Sequence, residues 1–161
     1  MCQEDKTKFK GGYSLWILKK INTAILNEVL KKGKETAGTG YQVTDDKTYC
    51  CIDSHIAFAM NDDDFVIDKS KLKELPIDKF FTLDDTREVF KSGNKKEIMQ
   101  GKKTISFLEF ECDDFKIYIN EKLYKFLGKT EYKFYAKSPN AGLMCVSDNE
   151  IKVIICPVKI R

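Results

Sequence analysis

The sequence predicts an α+β fold, a single domain built from two β-α-β-β-β units with an insertion between them. Three observations support that class. The chain has 161 residues, 42% hydrophobic and 33% charged, enough to bury one ordinary core without disulfides or a structural metal. Short stretches of alternating apolar and polar residues recur between turn signals, the pattern of half-buried strands. A helix pattern opened by Asn120 and closed by Gly128 lies among them, since asparagine caps a helix start and glycine its end.

Taken in order, residues 1–12 are polar, end in Gly11-Gly12 and form a flexible N-terminus; the domain covers 13–161. Its first unit spans about 13–67. Tyr13 to Ile21 is mostly apolar and fits either a strand or the first turns of a helix. Asn22 or Thr23 is placed to cap a helix in which Ile25, Leu26, Val29 and Leu30 form an apolar stripe. Lys31 and Lys32 suit the negative end of that helix, and Gly33 terminates it. Gly38-Thr39-Gly40 marks a loop. Tyr41 to Thr44, Thr48 to Met60 and Phe65 to Ile67 then read as strands, separated by Asp45-Asp46 and by Asn61 to Asp64.

The stretch 68–100 is the expected insertion. Ser70 to Leu75 stops at Pro76, and Leu83 to Lys91 reads as a short helix, with Thr82 as its cap and Ser92-Gly93-Asn94 as its end. The second unit, about 101–161, is prepared by a hairpin in which Glu97 to Met99 and Thr104 to Cys112 flank Gln100-Gly101. Phe115 to Ile119 alternates as a half-buried strand should, and the Asn120 helix follows, carrying Leu123, Tyr124 and Leu127. Tyr132 to Lys137, Leu143 to Ser147 and Ile151 to Val158 complete the unit, divided by Ser138 to Gly142 and by Asp148-Asn149.

Composition narrows the function classes. Lysine and arginine total 28 against 25 acidic residues, a net charge of +3, so any nucleic-acid contact must come from a local patch. Arginine occurs only at Arg87 and Arg161. No apolar run approaches the roughly 20 residues of a membrane span, and no secretory signal pattern precedes Ser14 to Leu18, which places the protein in the cytoplasm. Cys2, Cys50, Cys51, Cys112, Cys145 and Cys156 show no two-residue spacing of the kind that builds zinc or redox sites. Most read as small buried hydrophobes kept reduced, with a bridge at Cys50 or Cys51 left open.

Chemistry-bearing motifs are incomplete. His55 is the lone histidine, with Asp53 on the same side of a predicted strand, where a structural or exposed pair competes with a catalytic one. Asn61-Asp62-Asp63-Asp64 lacks the alternate spacing, glycine and distal glutamate of a calcium loop, and reads as a solvated turn. Gly128-Lys129-Thr130 follows a helix instead of opening one, and Leu123 stands where a phosphate loop needs its first glycine. Gly38-Thr39-Gly40 lacks the third glycine of a dinucleotide fingerprint. Asp84-Asp85 and Asp113-Asp114 suit a helix start and a turn. No catalytic residue, cofactor or metal ligand is assigned.

The C-terminal unit carries a resemblance. Phe115-Lys116-Ile117-Tyr118-Ile119-Asn120, Lys122-Leu123-Tyr124-Lys125-Phe126-Leu127 and the finish Val153 to Ile160 resemble the end of the bacterial DNA polymerase sliding clamp. There an apolar strand leads into an N-x-x-Y-L-x-x-x-L helix, and the chain ends with a hydrophobic residue followed by Met-Pro-x-Arg-Leu. Ile52-Asp53-Ser54-His55-Ile56-Ala57 is similar to the clamp's T-D-S-Y-R-L-A strand. These segments cover about a third of the chain. Ile56, Cys156 and Lys159 depart from the family's arginine, methionine and arginine, and the length suits one clamp domain where a clamp subunit has three.

The resemblance implies a non-catalytic clamp-like binding protein of the kind a phage or mobile element carries, contacting double-stranded DNA or a replication or repair partner. In the family, helix lysines face the DNA; here the corresponding candidates are Lys31, Lys32, Lys122, Lys125 and Lys129, which as outer-face lysines equally suit simple solvation. Partner peptides dock near the family's C-terminal tail, to which Pro157, Val158 and Lys159 correspond. A lone clamp domain implies a homo-oligomer or some other protection of its sheet edges. The rival expectations are an accessory or inhibitory protein that occupies a host protein, and a small enzyme using His55.

Overall fold

The computed structural model describes Tyr13, residues 15–32, 38–45 and 47–160, with the side chain of Lys32 outside the description. It is a mixed α and β structure that divides into two compact units at Phe80/Phe81. That division falls inside 68–100, so the stretch expected as an insertion is shared between the units.

The first unit opens with α1 (Leu15–Lys32), followed by β1 (Gly40–Thr44), β2 (Lys47–Ile52), β3 (Ile56–Asn61) and β4 (Lys73–Glu74). The strand order is β4-β1-β2-β3, antiparallel except for a two-residue parallel pairing of β4 with β1. Of the two readings left open for Tyr13 to Ile21, the structure takes the helix from Leu15 onward; Ser14 lies outside the described residues. Ile17, Ile21 and Ile25 are buried at four-residue spacing, whereas Leu26 and Leu30 are exposed. Of the expected stripe only Ile25 is buried, and the inward stripe runs from it toward the helix start through Ile21 and Ile17.

Asn22 consequently sits inside the helix instead of capping it, and it is buried. Its Nδ2 donates to the carbonyl oxygens of Leu18 at 2.9 Å and Asp64 at 3.2 Å, while its Oδ1 accepts from the Val66 amide at 3.2 Å. One amide thus ties residues 64–66 to α1; Asp64 ends a short 3-10 turn that begins at Asp62, and the residues after it do not form the strand expected over Phe65 to Ile67. Thr48 to Met60 is likewise two strands, because Asp53 and Ser54 take positive φ and turn the chain between Ile52 and Ile56. Gln42 on β1 accepts from the amides of Ile77 and Asp78, pinning the end of the unit to its sheet.

The second unit contains β5 (Arg87–Gln100), β6 (Lys103–Glu111), β7 (Lys116–Asn120), the one-turn helix α2 (Glu121–Tyr124), β8 (Lys133–Ala136), β9 (Leu143–Ser147) and β10 (Glu150–Ile155). Its strands run in the order β10-β9-β8-β5-β6-β7. The helix expected over Leu83 to Lys91 is absent: a turn around Leu83–Thr86 leads straight into β5, whose Arg87–Val89 pair with β8. Asn120 does cap α2, its Oδ1 accepting from the Lys122 amide, and Gly128 closes the following 3-10 turn with φ 62°. Asp148 and Asn149 both have positive φ between paired Ser147 and Glu150, the signature of a type I′ hairpin.

The cores are aliphatic with aromatic inserts. Phe58, Cys50 and Ile56 lie inside the first unit. In the second, Phe110, Ile117, Ile119, Leu143, Val153 and Ile155 are fully buried or nearly so. Cys50, Cys51, Cys112, Cys145 and Cys156 are free thiols; burial pushes the Cys50 and Cys145 thiols far up, which suits inert packing groups.

Replacing Asn22 with Ala removes three hydrogen bonds and leaves the Val66 amide and two carbonyls to find others. The expected loss is about 1–3 kcal/mol, read as a lower urea midpoint with an unchanged slope. A midpoint equal to wild type would mean that Asn22 does not hold residues 64–66.

Candidate nucleic-acid interface

The second unit brings lysines together through a bulge in β5. Lys91 pairs with Phe110 and Lys95 with Leu108, so Ser92, Gly93 and Asn94 all stand opposite Glu109 alone. A regular ladder would set Lys95 against Ser106, about 7 Å farther along the ribbon at ~3.3 Å per residue. The two extra residues draw Lys95 back to the level of Ile119, which pairs with Leu108 just ahead of α2.

Glu109 is the reason the bulge holds. Its side chain is buried, yet its Oε1 accepts from Ser92 Oγ at 2.9 Å, Asn94 Nδ2 at 3.3 Å and Lys116 Nζ at 3.3 Å, and its Oε2 from the Tyr118 hydroxyl at 3.0 Å. Burial works to raise this carboxyl, but the donors from Ser92, Asn94, Tyr118 and Lys116 outweigh it and bring it down to about 2. Such a group is ionised and fully occupied at neutral pH. Gly93 supplies the φ of 87° that the bulge requires, and no atom would obstruct a Cβ there, so only backbone conformation restricts the position.

Lys95, once drawn back, reaches α2. Its Nζ lies 2.9 Å from Glu121 Oε1, and Lys91 Nζ stands 4.8 Å above the Tyr124 ring. The Glu121 carboxyl is held below its usual range, first by the hydrogen bond from Lys95, with Lys125 and Lys91 adding positive charge. Beneath this surface, Phe110, Tyr124 and Phe134 form an aromatic cluster with centroids 4.9 to 6.3 Å apart, which seats the short helix on β6. Lys91, Lys95 and Lys125 therefore surround a single glutamate. Lys122, exposed on α2, is three residues from Lys125 and adjoins it on the helix surface.

Among the lysines expected from sequence, Lys122, Lys125 and Lys129 are exposed in the second unit, while Lys31 is exposed in the last turn of α1 in the first. Lys32 ends α1, and its side chain lies outside the described residues. Lys91 and Lys95 join Lys122 and Lys125 although neither was expected, since their stretch read as helix and helix end. Pro157 and Val158 are half-buried and Lys159 is exposed. The Val158 amide donates to the Tyr118 carbonyl at 2.9 Å, so the tail lies against edge strand β7.

His55 and Asp53 lie in the turn between β2 and β3, not along a strand, with Nε2 3.8 Å from Oδ2 and side chains 62% and 47% exposed. That is a solvated surface pair. Asp62 accepts from Thr48 Oγ1 at 2.7 Å and from Lys69 Nζ at 2.8 Å, so its carboxylate fastens a turn. Among the described residues, no group of three or more histidine, cysteine, aspartate or glutamate side chains is arranged to hold a metal ion, and no helix is long and apolar enough to cross a membrane. Comparison with family models, curated proteins and solved structures found no match to the chain.

The depressed Glu109 carboxyl has a pH consequence with a definite sign. Because its folded value is lowered from 4.5 to about 2, its contribution is present above about pH 4.5 and is lost as pH falls toward 2. Glu109→Gln should lower the urea midpoint at pH 7, by about 1–3 kcal/mol in stability, and the gap from wild type should narrow through that acid window. A gap that stayed constant from pH 7 to pH 2.5 would show that the ionised carboxylate is not the stabilising form.

Proposed function

We propose that the chain is a non-catalytic DNA-binding protein that contacts the phosphate backbone through the lysine surface around α2. The observation that carries this reading is the gathering of Lys91, Lys95 and Lys125 about Glu121, with Lys122 exposed beside them. Coulomb repulsion among lysines is unfavourable, and a single carboxylate offsets only part of it. A polyanion relieves the remainder and releases counterions as it binds. The lysines act as point charges and not as bidentate forks, so the contact follows phosphates with little preference for base sequence.

The clamp-like part of the proposal rests on the succession β7-α2-β8-β9-β10, which follows the expected β-α-β-β-β order in the second unit. The first unit departs from that order: its described residues begin with Tyr13 and α1 and continue through β1, β2 and β3, so the strand expected ahead of the helix is not among them. On this reading the helix surface faces DNA, and the sheet edges are satisfied by assembly or by the chain's own tail. Val158 against β7 is one such protection.

The test is fluorescence anisotropy with a labelled 20-base-pair duplex, at salt concentrations from 50 to 200 mM. Wild type should bind, with affinity falling linearly on a log-log salt plot. Lys122→Glu with Lys125→Glu should weaken binding at least about tenfold, since two phosphate contacts are lost and two repulsions gained. Both side chains are exposed, so the urea midpoint should stay near that of wild type. Absence of wild-type binding at 50 mM salt would overturn the proposal.

A further inference from the structure

The β5–β6 ladder does not stop at the lysine surface. Beyond Lys96↔Phe107 it continues through Glu97↔Ser106, Ile98↔Ile105, Met99↔Thr104 and Gln100↔Lys103. Gly101 and Lys102 close it, with positive φ at Gly101 alone, the pattern of a type II′ turn. From Lys96 to Gln100 the ribbon extends about 15 Å at ~3.3 Å per residue, and every residue from Gly93 to Thr104 is exposed.

Among the described residues, neither outer edge of the ribbon is paired there. β5 pairs with β8 only at Arg87–Val89, and β6 with β7 only at Phe107–Glu111. The arm holds itself together with its own ladder, the facing Ile98 and Ile105, and a 3.0 Å contact from Thr104 Oγ1 to Met99 Sδ. A bare two-stranded ribbon is marginal in water. Met99 is nevertheless 67% exposed near its end.

The composition of this arm selects its occupant. Residues 91–106 contain five lysines, at positions 91, 95, 96, 102 and 103, against the single Glu97, with no aromatic residue and no arginine. Protein interfaces are anchored by buried aromatic and arginine side chains, which the arm lacks. Lysines along both strands also discourage edge-to-edge pairing with another sheet. A duplex matches both charge and shape: its major groove, about 12 Å wide, admits a two-stranded ribbon, and phosphates line both rims.

We infer that the β5–β6 ribbon is a groove-entering arm for double-stranded DNA, with Lys102 and Lys103 reaching phosphates at its tip and the face that carries Met99 and Thr104, shared with Lys95, meeting the groove floor. This rests on the DNA-binding reading above and adds to it a second contact, separate from α2. Lys95 is tied to Glu121 and Lys91 and Lys96 stand over Tyr124 and Tyr118, so the base of the arm is braced. Lys102 and Lys103 have no ion-pair partner among the described residues and keep their full charge for the ligand.

The experiment compares wild type with two variants by anisotropy, on a labelled 20-base-pair duplex and on one of its single strands. The first variant is Lys102→Ala with Lys103→Ala, both at the exposed turn. The second deletes Ile98, Met99, Thr104 and Ile105, shortening the ladder by two pairs while keeping its turn. The alanine pair should bind duplex about tenfold more weakly at 100 mM salt, with the log-log salt slope smaller by about two. The shortened arm should lose at least as much, and urea midpoints of both should stay near that of wild type. If wild type binds duplex and the alanine pair keeps its affinity and slope, the arm is not a contact and the α2 reading stands alone. An equal loss on single strand and duplex overturns the groove assignment. If wild type binds neither, both readings fall together.

Discussion

A buried carboxylate is the constraint on which the second unit depends. An ionised group cannot leave water unless charge and hydrogen bonds replace the hydration it loses. Glu109 meets that condition with Ser92 and Asn94 from β5 and Lys116 and Tyr118 from β7. Since Glu109 lies on the central strand β6, its two oxygens bind both neighbouring strands at one level. The Asn94 amide donates in turn to Ser92 Oγ at 3.2 Å, leaving that hydroxyl's proton for the carboxylate. The bulge is therefore a consequence of satisfying Glu109, and the position of Lys95 is a consequence of the bulge.

The same strand separates two jobs between its faces. Glu109 and Phe107 point to one side, whereas Leu108 and Phe110 point to the other, where Phe110 supports Tyr124 and Phe134. Polar fixation sets the register and aromatic packing seats α2, and the lysines of β5 meet those of α2 only when both hold. A helix of four residues, Glu121–Tyr124, has little stability of its own. Its placement comes from the Asn120 cap, the aromatic cluster and the Lys95–Glu121 pair acting together.

Much of this was legible where local chemistry decides the outcome. The Asp148-Asn149 turn, the Asn120 cap and the closing Gly128 follow from turn and cap preferences that few residues satisfy, and the hairpin expected around Gln100-Gly101 forms one residue later, at Gly101-Lys102. Local reading failed where tertiary partners decide. Asn22 reads as a cap because asparagine competes with helix backbone, but the 64–66 segment satisfies its amide inside α1. Leu83 to Lys91 carries cap-like residues at its start, yet pairing of Arg87–Val89 with β8 draws it into a strand. Lys122 and Lys125 could be placed on a helix surface from their spacing, whereas Lys91 and Lys95 could not, because a bulge leaves no periodic trace. One signal was available: a glutamate within Phe107-Leu108-Glu109-Phe110 is an acid in an apolar strand run, which demands partners from its neighbours.

The two lysine sets differ in how much freedom they give up, and this shapes the proposed DNA contact. Lys91, Lys95 and Lys96 are already held by Tyr124, Glu121 and Tyr118, so ordering them on a ligand costs less side-chain entropy. Glu121 also offsets part of the charge of Lys91 and Lys95, which limits the affinity they can contribute. Lys102 and Lys103, at the turn, carry undiminished charge but must be ordered with the ribbon on contact. A phosphate backbone meeting both sets gains orientation from the braced base and long-range attraction from the free tip. With a net charge of only +3 over the whole chain, neither global charge nor helix lysines alone would confine DNA to one face. In the proposed contact it is the fold that would do so, by placing an exposed, lysine-rich ribbon directly beyond a braced lysine surface, with the buried Glu109 carboxylate holding the two in register.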